Sequence, residues 1–263
     1  MLSPAQFHQI MPRLAPAKRA LYLPALNLAM QSYGINTVRR TASFVAHLAH
    51  ESDEFRRMEE PWGPTAVQRG YEPPAELANK LGNVRAGDGK LFKGRGPLQI
   101  TGRANYSRYG GLLGIDLLAN PALAATPAVA FATAGMYWQT NGLNELADEG
   151  ELALITRRLS GATTSLAKRL TYFAAAKAAL AAGFSAGALP HGAWLPILPK
   201  EALPRGFEAI RKAVRAGARA PAAARTQKPQ AAQTAQSAQA TQTATLARAL
   251  GHGVLPRKTG REG

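Results

Sequence analysis

Carboxylate side chains are concentrated in one short stretch of the sequence. Five of them lie in residues 51–60, and the stretch is followed by Pro61. Glu51 and Glu60 are nine positions apart, so on one continuous helix they would point about 900° apart, to opposite faces. A proline disfavours helical conformation in the residue before it, so Pro61 predicts that the helix ends earlier and that the chain folds back. Two carboxylates from this stretch could then face one cleft.

The chemistry that suits such a pair is acid–base hydrolysis of a glycosidic bond. At a separation of about 6.5 to 9.5 Å, one carboxyl group protonates the leaving oxygen while the other activates a water molecule. Glu51 is the better candidate for the acid because it follows Phe44, Val45 and Leu48, and apolar surroundings favour a protonated carboxyl group. The alternative is an acidic helix end that lies in solvent and has no chemical role.

Aromatic and amide side chains follow the second carboxylate in two further segments. Residues 62–72 contain Trp62, Gln68 and Tyr71. Residues 94–106 begin with Gly-Arg-Gly and supply further polar side chains. Sugar-binding clefts use aromatic rings to stack on pyranose faces and amides to bond hydroxyl groups. Both segments are therefore predicted to line a substrate cleft.

The elements that must position these residues are predicted to be helices. Apolar periodicity predicts helices over residues 21–33 and 38–51, with a break at Gly34, and further helices within residues 101–182. Residues 61–96 are rich in glycine and proline and are predicted to be irregular. Strand signals are few, so we expect a mainly α fold.

Composition divides the chain near residue 187. The 263 residues have a formal net charge of +16, and residues 188–263 alone hold 12 basic and 3 acidic side chains. We predict one compact domain over residues 1–187, an apolar strap with a cationic amphipathic helix over 188–216, and a flexible, low-complexity basic tail over 217–263. The amphipathic helix could lie on an anionic membrane surface or pack on the compact domain.

The composition also excludes several classes of protein. The chain has no cysteine, which excludes disulfides, thiolate metal sites and cysteine nucleophiles. It has no apolar run of membrane-spanning length, and its start lacks the pattern of a signal peptide, so a soluble protein is expected. Residues 217–245 have no aromatic side chain for base stacking, so no specific nucleic acid is expected. His47 and His50 have no partner motif that would complete a metal site.

Ordered motifs connect the acidic, aromatic and polar segments. The pattern H-E-S with a second Glu nine residues after the first is met by His50–Ser52 and Glu60. The run W-G-P-T-x-x-Q-x-x-Y-E is met from Trp62 to Glu72, and L-G-N and G-D-G follow within residues 81–89. The pattern G-R-G-x-x-Q-x-T-G-x-x-N-Y is met from Gly94 to Tyr106. Over roughly residues 3–182 the sequence thus resembles the family 19 glycoside hydrolases, the chitinase and endolysin family, and more closely their phage and bacterial wall-lytic branch.

The resemblance implies a two-lobed, lysozyme-like helical domain with a substrate cleft. It implies Glu51 as general acid and Glu60 as general base in an inverting hydrolysis of β-1,4 glycosidic bonds without cofactor or metal, and Thr101 as a residue that holds the attacking water. It also implies that Arg169 supports the base through an ionic network. Together with the aromatic and amide residues above, the predicted substrate-binding residues are Trp62, Gln68, Tyr71, Gln99, Asn105, Tyr106 and Arg169.

One segment departs from the family pattern. The wall-lytic branch carries I-N-G-G-x-N-G, whereas the aligned stretch here is Leu159–Ser165, with Ser160 and Thr164 in place of the two asparagines. A bridging water could replace the contact that the shorter serine cannot make. We expect an active enzyme with lower activity or a shifted sugar preference, and a murein-binding module without activity is the alternative.

The resemblance and the charge together predict a peptidoglycan hydrolase that contributes to host cell lysis. Murein is anionic, so a basic protein is expected to adsorb to it. The alternative substrate is chitin, which shares the β-1,4 linkage and the N-acetyl groups. We expect a monomer that is made in the host cytoplasm and acts in the periplasm or cell wall after release, with its basic C-terminal region on an anionic outer-membrane or lipid surface.

Overall fold

The computed structural model describes residues 1–184, and the predicted strap, amphipathic helix and tail lie outside these residues. Within them the chain is mainly helical, as predicted, and no strand is formed. The elements in chain order are α1 (Pro4–Ile10), α2 (Pro16–Ser32), α3 (Val38–Glu51), α4 (Ala66–Arg69), α5 (Glu76–Lys80), α6 (Asp88–Leu91), α7 (Arg103–Leu113), a 3₁₀ turn (Pro121–Ala125), α8 (Pro127–Thr140), α9 (Leu143–Glu149), α10 (Leu152–Ser160) and α11 (Leu166–Phe184). None of the described helices is long and apolar enough to cross a membrane.

Helix α3 is the central element and ends at the predicted acid. It begins after Thr37, whose hydroxyl accepts a hydrogen bond from the Arg40 amide at 3.1 Å and so satisfies one of the free donors of the first turn. Nearly every residue from Thr41 to Glu51 is buried, because α3 packs along α11 on one side and contacts α9 on another. The sequence predicted both ends of this helix correctly.

A second helix pair, α2 and α8, packs closely enough to require a glycine. A Cβ atom at Gly135 would lie 2.1 Å from the ring of Tyr33, far inside van der Waals contact. Four buried aromatic rings on α1, α2, α8 and the turn after α3 pack with centroids 5.0 to 6.2 Å apart, namely Phe7, Tyr22, Phe55 and Phe131. This cluster fixes the start of the chain against the turn that follows α3.

The turn after α3 is left-handed at three successive residues. Asp53, Glu54 and Phe55 have φ angles of 52°, 56° and 57°, a conformation that costs residues other than glycine about 1–2 kcal/mol each. The buried Glu54 carboxylate accepts hydrogen bonds from the Arg13 amide at 2.9 Å, from Arg13 Nε at 2.7 Å and from the Tyr172 hydroxyl at 3.2 Å. These contacts from the first and last parts of the domain hold the turn in place.

The segment predicted to be irregular contains α4, α5 and α6, each of four or five residues. Polar side chains tie it to α7: Asn83 donates to the Tyr71 carbonyl and accepts from the Arg103 amide, at 2.9 and 2.8 Å. Arg103 also bonds both oxygens of Asp88, and these hydrogen bonds lower the pKa of Asp88 to about 2. The segment therefore has a defined conformation despite its glycine and proline content.

Candidate active site

The predicted acid lies at a helix end and is paired with a buried arginine. Glu51 is the last residue of α3 and is 9% exposed. Arg169 of α11 donates a hydrogen bond from Nη2 to Glu51 Oε1, and its Nε donates to the Ser165 hydroxyl at 3.2 Å. The predicted support of Glu60 by Arg169 is therefore corrected. Because α11 runs along α3, its arginine meets the end of that helix rather than the loop that carries Glu60.

The predicted base is held by neutral donors. Glu60 is 7% exposed and lies in the irregular segment, where its amide donates to the Gly94 carbonyl at 2.8 Å. Its Oε2 accepts from the Gly94 amide at 3.0 Å, and its Oε1 accepts from the Gln68 amide group at 2.9 Å. Gln68 is itself fixed by a reciprocal capping box with Thr65 at the start of α4 and by a 2.8 Å bond to the Pro61 carbonyl.

Thr101 and Gln99 surround the same glycine as Glu60. A Cβ atom at Gly94 would lie 2.7 Å from Gln99 Oε1 and 3.3 Å from both Glu60 Oε2 and Thr101 Oγ1. The Thr101 hydroxyl donates to the Gln99 carbonyl at 2.9 Å, so its lone pairs can still accept a hydrogen bond from a water molecule. The structure thus brings Glu60, Gln99 and Thr101 together around Gly94, where an added Cβ atom would require the Gln99 side chain to shift.

Asn105 connects the surroundings of the two carboxylates. Its side-chain amide donates to the Thr101 carbonyl at 2.8 Å, and the residue lines a small pocket together with Glu51, Ile100 and Tyr137. Asn105 and Gln99 are partly exposed, and so is Trp62, whose ring centroid lies 6.3 Å from that of Tyr71. Trp62, Gln99 and Asn105, which are predicted to bind substrate, are therefore accessible to one.

Four residues predicted to bind substrate, Gln68, Tyr71, Tyr106 and Arg169, are buried in the structure and contact other parts of the protein. Gln68 and Arg169 hold the carboxylates, as described above, and Tyr71 lies beneath Trp62. Tyr106 donates to the Lys93 carbonyl at 2.7 Å and accepts from Arg95 Nη1 at 2.8 Å, and burial raises its pKa. It supports the wall behind Glu60 from within the core.

In the segment that departs from the family pattern, the Ser160 hydroxyl makes its hydrogen bonds locally. Ser160, which replaces the first family asparagine, has its hydroxyl oxygen 2.8 and 2.9 Å from the Thr156 and Ala162 carbonyls, which share its single hydrogen. The Thr156 hydroxyl lies 3.1 Å from Nε2 of the fully buried His47, whose Nδ1 is 2.7 Å from the Ser43 carbonyl. Burial, with the nearby Arg169 charge, lowers the pKa of His47 to about 3. A neutral His47 therefore joins α3 to α10.

A larger cavity of about 920 Å³ is also lined by Glu51. It is lined by Arg13 and its neighbours from the N-terminal segment, by the turn after α3, and by residues 160–175 of the last two helices and their connection. Arg13 and Lys168 were not predicted here, because neither belongs to a motif and both reach the cavity only through tertiary packing. Among residues 1–184 no group of three or more His, Asp and Glu side chains could hold a metal ion.

Comparisons with known proteins give the family. The family model described as chitinase class I, that of glycoside hydrolase family 19, matches residues 28–184. A glycosyl hydrolase family 19 domain-containing protein of Haemophilus influenzae is 29% identical, over 66% of this chain and 95% of that protein. Endochitinase 2 of Gossypium hirsutum is 34% identical, over 39% of this chain, and the match spans only 35% of the plant protein.

Solved structures show the same fold. Chitinase C from Streptomyces griseus aligns with a TM-score of 0.53 at 23% identity, over 68% of this chain and 76% of that one. The family 19, class IV chitinase from Zea mays aligns with a TM-score of 0.53 at 25% identity, over 68% of this chain and 92% of that one. With the family model matching more than half of its residues, this chain belongs to glycoside hydrolase family 19.

Proposed function

We propose that this chain hydrolyses the β-1,4 glycosidic bonds of bacterial peptidoglycan by an inverting mechanism, with Glu51 as general acid and Glu60 as general base. The observation that carries the proposal is the arrangement of two buried carboxylates, each fixed by its own donors, around one group of partly exposed polar side chains. Asn105 connects the surroundings of the two carboxylates. It lines a pocket together with Glu51, and its side chain donates a hydrogen bond to the carbonyl of Thr101, which lies near Glu60.

In the proposed reaction, Glu51 transfers its proton to the glycosidic oxygen as the bond to the anomeric carbon breaks. Arg169 occupies Oε1 of Glu51, so the proton resides on Oε2. Glu60 takes a proton from a water molecule that attacks the anomeric carbon from the opposite face, and the Thr101 hydroxyl accepts a hydrogen bond from this water. The products are two shorter glycans, one with an inverted reducing end, and Glu51 and Glu60 exchange protonation states until solvent resets them.

Charge supports peptidoglycan as the substrate. A protein of formal net charge +16 is attracted to anionic polymers, and murein is anionic whereas chitin is neutral. Chitin is the second candidate, favoured by the names of the relatives, which include endochitinases of Gossypium hirsutum. A third outcome, binding without cleavage, is motivated by Ser160, whose hydroxyl is already bonded within its own turn.

The test is hydrolysis of purified Gram-negative peptidoglycan and of chitin oligomers by the wild type, Glu51→Gln and Glu60→Gln. Glu149→Gln is the matched control, because Glu149 is also the last residue of a helix but is exposed. We expect cleavage of peptidoglycan by the wild type and the control only, with inverted reducing ends seen by NMR. Cleavage of chitin alone would replace the proposed substrate, and wall binding without any cleavage would contradict the proposed activity.

The proposal extends to the basic C-terminal region, which holds 12 of the 32 Lys and Arg residues. Electrostatic attraction to anionic lipid headgroups would bring the protein, as a monomer released from the host cytoplasm, to the membrane that covers Gram-negative murein. Deleting residues 200–263 should weaken killing of intact cells without weakening hydrolysis of purified wall. Equal killing by both proteins would contradict this extension and leave the proposed hydrolysis intact.

A further inference from the structure

The cavity beside Glu51 is lined by carboxylates that are all ion-paired and by basic side chains that are not all paired. Its three carboxylates are all paired: Glu51 with Arg169, and Asp53 and Glu54 with Arg13 at 3.0 and 2.7 Å. No acidic group lining it is left to attract a cation. Among its charged side chains, those that remain for a ligand are therefore basic.

Arg169 is the first of these basic residues. Its side chain is 1% exposed, its Nε and Nη2 are bonded to Ser165 and Glu51, and its Nη1 has no hydrogen-bond partner within residues 1–184. A buried guanidinium nitrogen without a partner is costly, and the oxygen of a carboxylate is the acceptor that suits it best. An arginine left in this state beside a cavity is a ready donor for an acidic ligand.

Lys168 adds a second positive charge at the next position of α11. It lines the same cavity, is exposed, and forms no ion pair within the described part of the chain. The pKa of the neighbouring His50 is lowered to about 4. Burial is the largest cause, and the positive charges of Arg169 and Lys168 contribute next. His50 is thus neutral near pH 7, and the two unpaired donors dominate this wall of the cavity.

We propose that this cavity is a carboxylate subsite, in which Arg169 Nη1 and Lys168 bind an acidic group carried by the glycan substrate. This inference rests on the proposed function and narrows its substrate class to glycans that carry carboxylates. The stem peptides of murein carry free carboxylates close to the glycan strand, whereas chitin has none. The subsite would therefore favour murein over chitin next to the acid Glu51.

The experiment measures binding, so that it does not depend on turnover. Calorimetric titration uses a soluble murein glycopeptide with free stem carboxylates, the same glycopeptide with these carboxylates converted to amides, and a neutral N-acetylglucosamine tetramer. The Glu60→Gln background prevents cleavage during the titration. Lys168→Gln is compared with Lys177→Gln, a matched control on the same helix that is exposed but does not line the cavity.

We expect the acidic glycopeptide to bind more tightly than its amide, and Lys168→Gln to weaken its binding about fivefold while Lys177→Gln leaves it unchanged. Higher salt should reduce the preference for the acidic form. Equal binding of the acidic and amidated glycopeptides, equal effects of the two lysine variants, or no binding of the acidic form would each overturn the subsite. Selective binding by a protein whose wild type cuts neither polymer would uphold the subsite and overturn the proposed hydrolysis.

Discussion

The two carboxylates of the site are held by opposite means. Glu51 ends a regular helix and is fixed by a charged side chain from α11, whereas Glu60 lies in an irregular segment and is fixed by the Gly94 amide and the Gln68 side chain. Both are buried, so each needs a partner, but only one has a charged one. Burial alone therefore does not define their environments, and the kind of donor distinguishes them.

This difference matters for the proposed roles. In the proposed reaction, Glu51 would carry its proton on Oε2, because Arg169 occupies Oε1. The neutral donors fix the orientation of Glu60, and the remaining lone pairs of its carboxylate stay available to accept a hydrogen bond from a water molecule. The helix side of the site thus depends on charge pairing, and the loop side depends on close backbone packing around Gly94.

The largest effect is expected from removal of either carboxylate, and the leaving group separates the two roles. Glu51→Gln and Glu60→Gln should each lower kcat on the natural glycan by about 10² to 10⁴. On an aryl glycoside with an acidic phenol as leaving group, Glu51→Gln should lose far less, because that group departs without protonation, while Glu60→Gln should lose as much as before. Steady-state kinetics on both substrates measure this, and equal losses by Glu51→Gln would contradict its role as the acid.

The next effect concerns stability and compares the two kinds of donor directly. Arg169→Met leaves a buried carboxylate without its charged partner and should cost about 3–5 kcal/mol in the free energy of unfolding. Gln68→Met removes one neutral donor from Glu60 and should cost about 1–3 kcal/mol. Urea unfolding at pH 7 checks both values. A larger cost for Gln68→Met than for Arg169→Met would reverse the comparison.

A smaller effect, confined to the loop side, is expected from Gly94→Ala. The added methyl group would meet Gln99 Oε1 at 2.7 Å and crowd Glu60 and Thr101, so we expect a loss of about 1–3 kcal/mol in stability together with lower kcat. Gly111→Ala is the matched control, since a Cβ there meets no atom within 4 Å and α7 should become slightly more stable. Equal activity of the two variants would show that the packing around Gly94 is unimportant.

The smallest effect is a pH dependence on the helix side. The pKa of His47 is lowered to about 3 by burial, against about 6.5 in the unfolded chain, so the unfolded state binds more protons between these values. His47 therefore contributes stability above pH 6.5 that is lost as the pH falls, by up to about 1.4 kcal/mol per pH unit. Urea unfolding at pH 7, 6 and 5 should show a shallower decline for His47→Gln, and identical slopes would contradict a neutral buried histidine.

Much of the helical framework followed from local pattern. The bounds of α3, the mainly helical fold and the break before Pro61 were predictable, because apolar periodicity and proline act on neighbouring residues. The motifs also identified the residues that gather around Gly94, which lie within a span of 42 positions from Glu60 to Thr101. What the pattern could not give was the left-handed turn at Asp53 to Phe55, since none of these residues is a glycine.

The sequence by itself determined most of the long helices, among them α3 with both its ends, and the family to which the chain belongs. Only the tertiary structure decided that Arg169 pairs with Glu51, that Arg13 holds Glu54, and that Tyr71, Tyr106 and Gln68 lie inside the protein. The physical reason is distance along the chain: Glu51 and Arg169 are 118 positions apart, and Arg13 and Glu54 are 41 apart. Such pairs are set by which helix faces pack together, and no local periodicity encodes that choice.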